Sequence, residues 1–328
     1  MSFGNIFTQV AVLFILILVG YLIRKLNLLD EDTTSKISNL AMTVFLPSMI
    51  ISSMQIDFDS SMVNKILLLI LVSMVAYGIS FAMAFLLKFI FKNDSDLGIY
   101  QYVLIFSNVA FMGYPVVEAV LGKEAIFYTA IYNLPFNLFT FTIGIYLLSK
   151  GNSDYKFSAK SIISPATIAI VFGLILFVTG IRLPAFLNNS ISLLGGVTTP
   201  ISMLVIGSML ANSSAKECFY NKKLYFVTFL RLVLIPLVVY LLLNNRVGDS
   251  MIAAIPVVMT SMPAAANAAI NGQPIRIKHY ISFTKCIFKH IILSAYYPNN
   301  KHVLVRLIYS LMCCTIVYSN KLYNNISF

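Results

Sequence analysis

Residues 106–122 read FSNVAFMGYPVVEAVLG. The stretch lies inside an apolar run of bilayer-spanning length. It carries Asn108, Gly113 and Pro115 near its middle and Glu118 shortly after. Proline removes a backbone donor and clashes with the preceding turn, and glycine relaxes the backbone. In lipid, backbone groups freed in this way are tolerated only where protein or a water-filled cavity satisfies them. A membrane helix broken at mid-depth is therefore a candidate ligand site. A second break is expected at Pro263, facing the first.

The composition supports a membrane setting. Of 328 residues, 59% are hydrophobic and only 11% charged, against about 25% charged in a soluble domain. A soluble globule of this length could not cover so much apolar side chain, so the chain is read as an all-α polytopic membrane protein whose first partner is the lipid bilayer. The first apolar run, Ile6 to Ile23, lacks a basic region before it and is read as a span rather than a cleavable signal. The net charge of +11 sits mostly in the last 58 residues, which hold seven basic residues and no acidic one. No nucleic-acid partner is expected from it. Cys218 is the lone cysteine before that tail, so no disulfide framework is expected.

Apolar runs place spans near 5–23, 37–54, 63–91, 98–121, 125–148, 162–180, 192–211, 223–243 and 250–270. The connections between them alternate in charge. Odd-numbered connections hold eleven basic residues, among them Arg24, Lys88, Lys156 and Lys223, whereas even-numbered ones hold four: Lys65, Lys123, Arg182 and Arg246. By the positive-inside rule the N-terminus is expected outside the cell membrane.

The polar connection 149–161 follows five spans and reads as a seam between residues 1–148 and 162–270. Since five is odd, a second copy would enter inverted. The halves share features: LPSMIISSM around Pro47 and TPISMLVIGSML around Pro200, then the breaks at Pro115 and Pro263. Two inverted five-span repeats are therefore expected, the second incomplete.

Past Asn271 the apolar pattern is lost, and the tenth span that this symmetry demands is not recognisable. One allowed back-translation from Asn271, read one base later, gives MANQYESNTTLASQSVFLST. That string continues the small-residue pattern of the ninth span. Residues 271–328 are accordingly expected to be an aberrant, out-of-frame tail, with a genuine divergent tail as the alternative.

The motifs SNVAFMGYPVVEAVLG at 107–122, FLPSMIISS at 45–53, VIGSMLA at 205–211 and MPAAANAAI at 262–270 resemble the auxin efflux carrier family. That family includes plant auxin exporters and bacterial permeases assigned to malate or related organic anions. The resemblance covers about residues 1–270. It implies ten spans in two inverted repeats, with the fourth and ninth helices broken and crossing at prolines that correspond to Pro115 and Pro263. It further implies an elevator-like carrier related in fold to bile-acid symporters, with a homodimer as its assembly.

The chemistry expected at such a crossing is anion binding. Half-helix N-termini near Tyr114–Val116 and Ala264–Ala266 would present N–H groups and partial positive charge to one cavity. Asn108 and Asn267 can donate to an anion, and Tyr114, at the break itself, is a contact candidate. In IYNLPFNLF, Asn133 and Asn137 are four apart and share a face if the helix persists, either lining the cavity or bonding between helices. Asn39 is read as structural. Glu118 is the one acid clearly inside a span and is a candidate for coupling to H⁺ or Na⁺, unless it reaches the outer interface. Arg231 is a candidate charge partner for a substrate carboxylate, with snorkelling to the cytoplasmic surface as the stronger reading. No catalytic residue, metal site or bound cofactor is expected. Residues 1–270 contain no His, which removes HExxH zinc chemistry, and there is no phosphate-binding GxxxxGK[ST] loop. A channel lacks charged rings. A membrane receptor or scaffold, or an inactive truncated product, is the remaining alternative to a carrier of a small organic anion.

Overall fold

The computed structural model of the chain describes residues 3–92, 94, 96–149, 163–211, 222–243 and 246–264. Among these residues the regular structure is helical, with no strand. The first part holds α1 (Phe3–Lys25), α2 (Glu31–Leu40), α3 (Leu46–Ser53), α4 (Ser60–Ile90), α5 (Leu97–Ile105), α6 (Tyr114–Leu121), α7 (Glu124–Tyr132), α8 (Leu134–Phe139) and α9 (Ile145–Ser149). The second holds α10 (Pro165–Thr179), α11 (Ala185–Gly196), α12 (Thr198–Ala211), α13 (Lys222–Phe229), α14 (Ile235–Leu243) and α15 (Ser250–Thr260). The expected tail, 271–328, lies outside the described residues, as does most of the connection 149–161.

Local chemistry starts and stops these helices. Asp30 accepts from the Thr33 N–H, Asp59 from Ser61, Ser164 from Thr167, and Asp249 from Met251 and Ile252. Each cap satisfies donors that a helix start leaves open. Gly180, at φ 68°, closes α10 in the left-handed conformation that glycine adopts without a Cβ penalty.

Three prolines within the spans share one solution. Wide π turns at Ala41–Phe45, Val109–Gly113 and Leu230–Leu234 each end two residues ahead of a proline, Pro47, Pro115 and Pro236. Proline lacks an N–H and its ring crowds the carbonyl four residues back. Widening the preceding turn moves that carbonyl aside and lets the helix continue.

Among the described residues, three helices are long and apolar enough to cross a membrane alone: Ser60–Ile90, Ala185–Ala211 and Phe226–Leu243. Glu124–Phe139 and Thr142–Leu148 form a fourth candidate, bent by 41°. The seventh span therefore begins at Ala185, not residue 192. Shorter apolar helices, Val109–Leu121, Pro165–Thr179 and Met251–Thr260, belong to spans that are interrupted or brief.

The helices sort into two packed groups. In one, α1 lies along α12, and α3 packs on α10 and α11. Glycines allow this closeness: a Cβ on Gly207 would sit 2.1 Å from the Ile17 carbonyl oxygen, and one on Gly20 would sit 2.2 Å from that of Leu204. Small residues at such contacts are the rule between membrane helices. Thr34 and Ser208 share a buried hydrogen bond of 2.7 Å, and Arg182 pairs with Asp57.

The second group is built from α4 to α9 and α13 to α15. Here α4 packs on α5, α14 on α15, α15 on α4 and α7, and α13 on α5. Ser73 donates to the Tyr132 carbonyl at 2.7 Å and Gln101 to that of Ala84 at 2.9 Å. Two ion pairs bind helix starts together: Lys65 with Asp249 at 2.8 Å, and Lys223 with Asp94. Each ion pair between connections joins two of the same charge class, odd with odd or even with even, as opposite membrane faces require.

The groups meet where α6 lies on α1 and α12, and α7 on α3. Among the described residues, one side-chain hydrogen bond crosses this seam, from Thr199 Oγ1 to Glu118 Oε2 at 2.6 Å. The rings of Phe127 and Phe177 also meet there, 4.9 Å apart.

Candidate functional site

Helix α5 ends at Ile105, and the chain at Phe106 is extended (φ −99°, ψ 114°). Ser107 then pairs with Ala264 in an isolated antiparallel bridge. The Asn108 N–H donates to the Pro263 carbonyl at 2.5 Å. From the other side, α15 ends at Thr260 and its chain reaches the same point at Pro263. An interrupted span and the chain leaving α15 thus meet and bond backbone to backbone. Inside a membrane this is what makes non-helical backbone tolerable.

The break in the first span is not at Pro115. It lies at Phe106–Asn108, and the helix from Val109 runs unbroken through Tyr114, Pro115 and Val116 to Leu121. The π turn explains the difference, because Gly113 N–H reaches back to Asn108 O at 3.0 Å and absorbs the proline. The half-helix N-terminus is accordingly at Asn108, whose Oδ1 accepts from the Phe111 N–H at 3.3 Å. That leaves the donor end of the Asn108 amide for another partner. Gly113 is buried against α15, where a Cβ would sit 2.8 Å from the Met259 Cε. Pro263 lies just past the end of α15. It is buried, and Ala264 beside it is half-buried. Asn267 and Ala265–Ala266 lie outside the described residues.

Arg231 does not snorkel. It is fully buried, at 0% exposure, in the π turn of the eighth span. Its Nη1 donates to the Leu104 carbonyl at 2.8 Å and to that of Ile105 at 3.4 Å. Its Nε donates to the Met262 carbonyl at 3.3 Å, and its Nη2 to Ser107 Oγ. One guanidinium therefore gathers the C-terminal ends of α5 and α15. Its five fixed donors suit it to this divided task, which a lysine ammonium could not reproduce.

Asn133 interrupts the fifth span, closing α7 and opening α8. It is 2% exposed, and neither amide atom completes a hydrogen bond among the described residues. The Tyr114 hydroxyl lies within reach of this amide. An unpaired buried amide is costly, so this spot is suited to a polar guest or an ordered water. Asn137 is only half-buried, so the two asparagines do not present equal surfaces despite their spacing. Asn39 is exposed, away from the crossing. Glu118 is half-buried and is bonded by Thr199 across the seam between the two helix groups. Among the described residues, no three His, Cys, Asp or Glu side chains gather as a metal-binding set.

Sequence reasoning missed Ser107 and Thr199. Ser107 adjoins the asparagine that was singled out, but only the fold brings it under the Arg231 guanidinium. Thr199 had no signal beyond its place ahead of Pro200.

An interrupted helix meeting the end of a second one within an apolar helical scaffold defines a membrane-embedded protein organised around a buried polar centre. The chain belongs to a family of transporters: the family described as "Membrane transport protein" matches residues 5–299. This is the auxin efflux carrier-like family that the motifs resemble. The match extends beyond Ile270, where the motifs end. An uncharacterized transporter of Methanocaldococcus jannaschii is 29% identical over 217 residues, covering 63% of this chain and 70% of its own. One of Methanothermobacter thermautotrophicus is 25% identical over 303 residues, covering 89% and 95%. The uncharacterized transporter YfdV of Escherichia coli is 23% identical over 238 residues, covering 69% and 74%. The protein is thus a membrane transporter and not an enzyme.

Proposed function

We propose that the protein is a secondary or facilitative carrier of a small organic anion, such as malate or an auxin-like carboxylate. Alternating access would occur at the crossed helices. The observation that carries this reading is the mutual hydrogen bonding of two broken spans at Asn108 and Pro263, where the helix from Val109 begins. A helix start there offers N–H groups and partial positive charge to a carboxylate. The buried amide of Asn133 beside Tyr114 supports a polar guest in the same region.

The packing supports an inverted repeat. Exchanging the halves turns the contact of α1 with α12 into that of α10 with α3, and the contact of α4 with α5 into that of α14 with α15. The pair Lys65–Asp249 likewise exchanges with Lys223–Asp94. On this reading the α1–α3 and α10–α12 group is a scaffold and the other group moves past it. Residues 1–148 and 162–270 are the repeats, and a homodimer would form through the scaffold. The N-terminus faces outward from the plasma membrane. An inside-negative potential alone would bias an anion outward, by about 2.3 kcal/mol per charge per 100 mV. Coupling to H⁺ or Na⁺, with Glu118 as the group involved, is the added proposal. Residues 271–328 are proposed to be out of frame, which sequencing the source gene tests.

Counterflow of labelled malate and indole-3-acetate into proteoliposomes tests the carrier reading. Saturable counterflow that falls in Asn108→Ala is the expected result. Unsaturable flux, or none from folded protein, would overturn it.

A further inference from the structure

We infer that Arg231 sets the charge preference of the crossing, acting as a positioning residue that neutralises the negative C-terminal ends of α5 and α15. The inference rests on the anion-carrier reading and assigns its charge selectivity to one side chain.

Among the described residues the crossing brings three helix ends together. Those of α5 and α15 are C-terminal and the start of Val109–Leu121 is N-terminal, so their partial charges oppose one another. Each end carries roughly half an elementary charge. Left alone, such a centre has no net preference for an anion. Arg231 changes this balance. Its guanidinium bonds the carbonyls of Leu104 and Ile105 at the end of α5, and that of Met262 just after α15. Two C-terminal ends of roughly −0.5 each are matched by one fixed positive charge. The opposing N-terminal charge, at the start of Val109–Leu121, is then uncancelled.

Among the described residues, no carboxylate pairs with Arg231: the ion pairs there join Lys36–Asp32, Lys65–Asp249, Arg182–Asp57 and Lys223–Asp94. The titratable side chains that sense it are the phenols of Tyr77 and Tyr132, which are neutral donors or acceptors. A fully buried guanidinium with carbonyl and hydroxyl partners retains its whole charge, and low-dielectric surroundings extend its reach. Its bond to Ser107 Oγ places that charge one residue from Asn108. The guanidinium is occupied by backbone and need not touch the substrate.

The test compares carboxylates with their uncharged amides. Wild type, Arg231→Lys and Arg231→Gln are reconstituted after a folded-state check by size-exclusion and thermal melting. Counterflow and ligand-induced melting shifts are measured with malate against malamide, and with indole-3-acetate against indole-3-acetamide. Wild type should prefer the carboxylate of at least one pair. Arg231→Lys should keep that preference at reduced turnover. Arg231→Gln should lower it by about tenfold, by losing carboxylate rather than amide. A merely structural role would lower both members of a pair equally and leave their ratio unchanged.

A wild-type ratio retained in folded Arg231→Gln overturns the inference and leaves the carrier reading standing. If Arg231→Gln does not fold, loss of the preference in folded Arg231→Lys overturns it equally. A wild type indifferent to charge in both flux and melting overturns the inference together with the anion reading.

Discussion

The backbone N–H of Asn108 and the carbonyl of Pro263 meet at 2.5 Å, although the residues belong to opposite halves of the chain. Asn108 also caps its own helix through Phe111. Asn108→Ala keeps the backbone bond and removes the cap, at a cost of about 1 kcal/mol. Flux should fall by a larger factor than that stability loss accounts for. Initial rates and melting temperatures from one preparation check this, and a loss explained by unfolded protein alone would remove the side chain from the transport step.

Pro115→Ala should be milder. The proline sits inside the continuous helix Val109–Leu121, and the break lies ahead of it. Restoring an N–H there lets the π turn tighten without disturbing Asn108 or Pro263. Parallel flux measurements should rank Pro115→Ala above Asn108→Ala. The reverse order would make the wide turn itself part of transport.

The contact of α1 with α12 should be intolerant of a methyl group. Gly207→Ala would force a Cβ to within 2.1 Å of backbone oxygen, where no side chain can move away. Overpacking of this kind costs about 1–3 kcal/mol. Gly78→Ala has nothing within 4 Å of the new carbon and should be neutral. Folded yield and melting of the two variants should differ plainly; similar values would show that α1 and α12 yield easily.

Thr199→Val should loosen the seam between the two helix groups, since it removes the hydrogen bond to Glu118. A contact of about 1 kcal/mol shifts a two-position equilibrium roughly fivefold. Distances between spin labels on α1 and α6 report that shift. An unchanged distribution would show that Glu118 and Thr199 do not hold the groups together. Glu118→Gln should alter the pH dependence of flux only if the carboxylate couples to protons.

Acid should weaken one end of the molecule. The hydrogen bond from Lys223 holds the Asp94 carboxyl below its ordinary value, with burial opposing. The bond to Asp94 in turn raises the Lys223 ammonium. For a depressed carboxyl, the stabilisation is complete above its unfolded value, near pH 4, and is lost as pH falls through the lower folded one. For the raised ammonium it is complete below about pH 10 and is lost as pH rises through the folded value. Melting profiles of wild type should therefore drop at both extremes. Asp94→Asn should flatten the acid limb that this pair contributes; an unchanged limb would show that other carboxyls govern it.

Much of the site was legible because membranes punish irregular sequence. Asn108 and Pro263 stood out as polar or helix-breaking residues in apolar runs, and both lie at the crossing. Pro115 stood out equally and was misplaced, because a proline's effect depends on whether the preceding turn can widen. Asn133 was noticed for its spacing to Asn137, yet its burial beside the Tyr114 hydroxyl is a property of the folded interior.

By itself the sequence determined the membrane setting, the all-helical class and the family, since apolar composition and short motifs are properties of a few residues at a time. Only the tertiary structure decided where the first broken helix stops, because that depends on an acceptor at Pro263 far along the chain. It also decided the surroundings of Arg231 and Glu118. A buried charge is defined by the groups that surround it, and for Arg231 these are carbonyls of two helices brought together by folding.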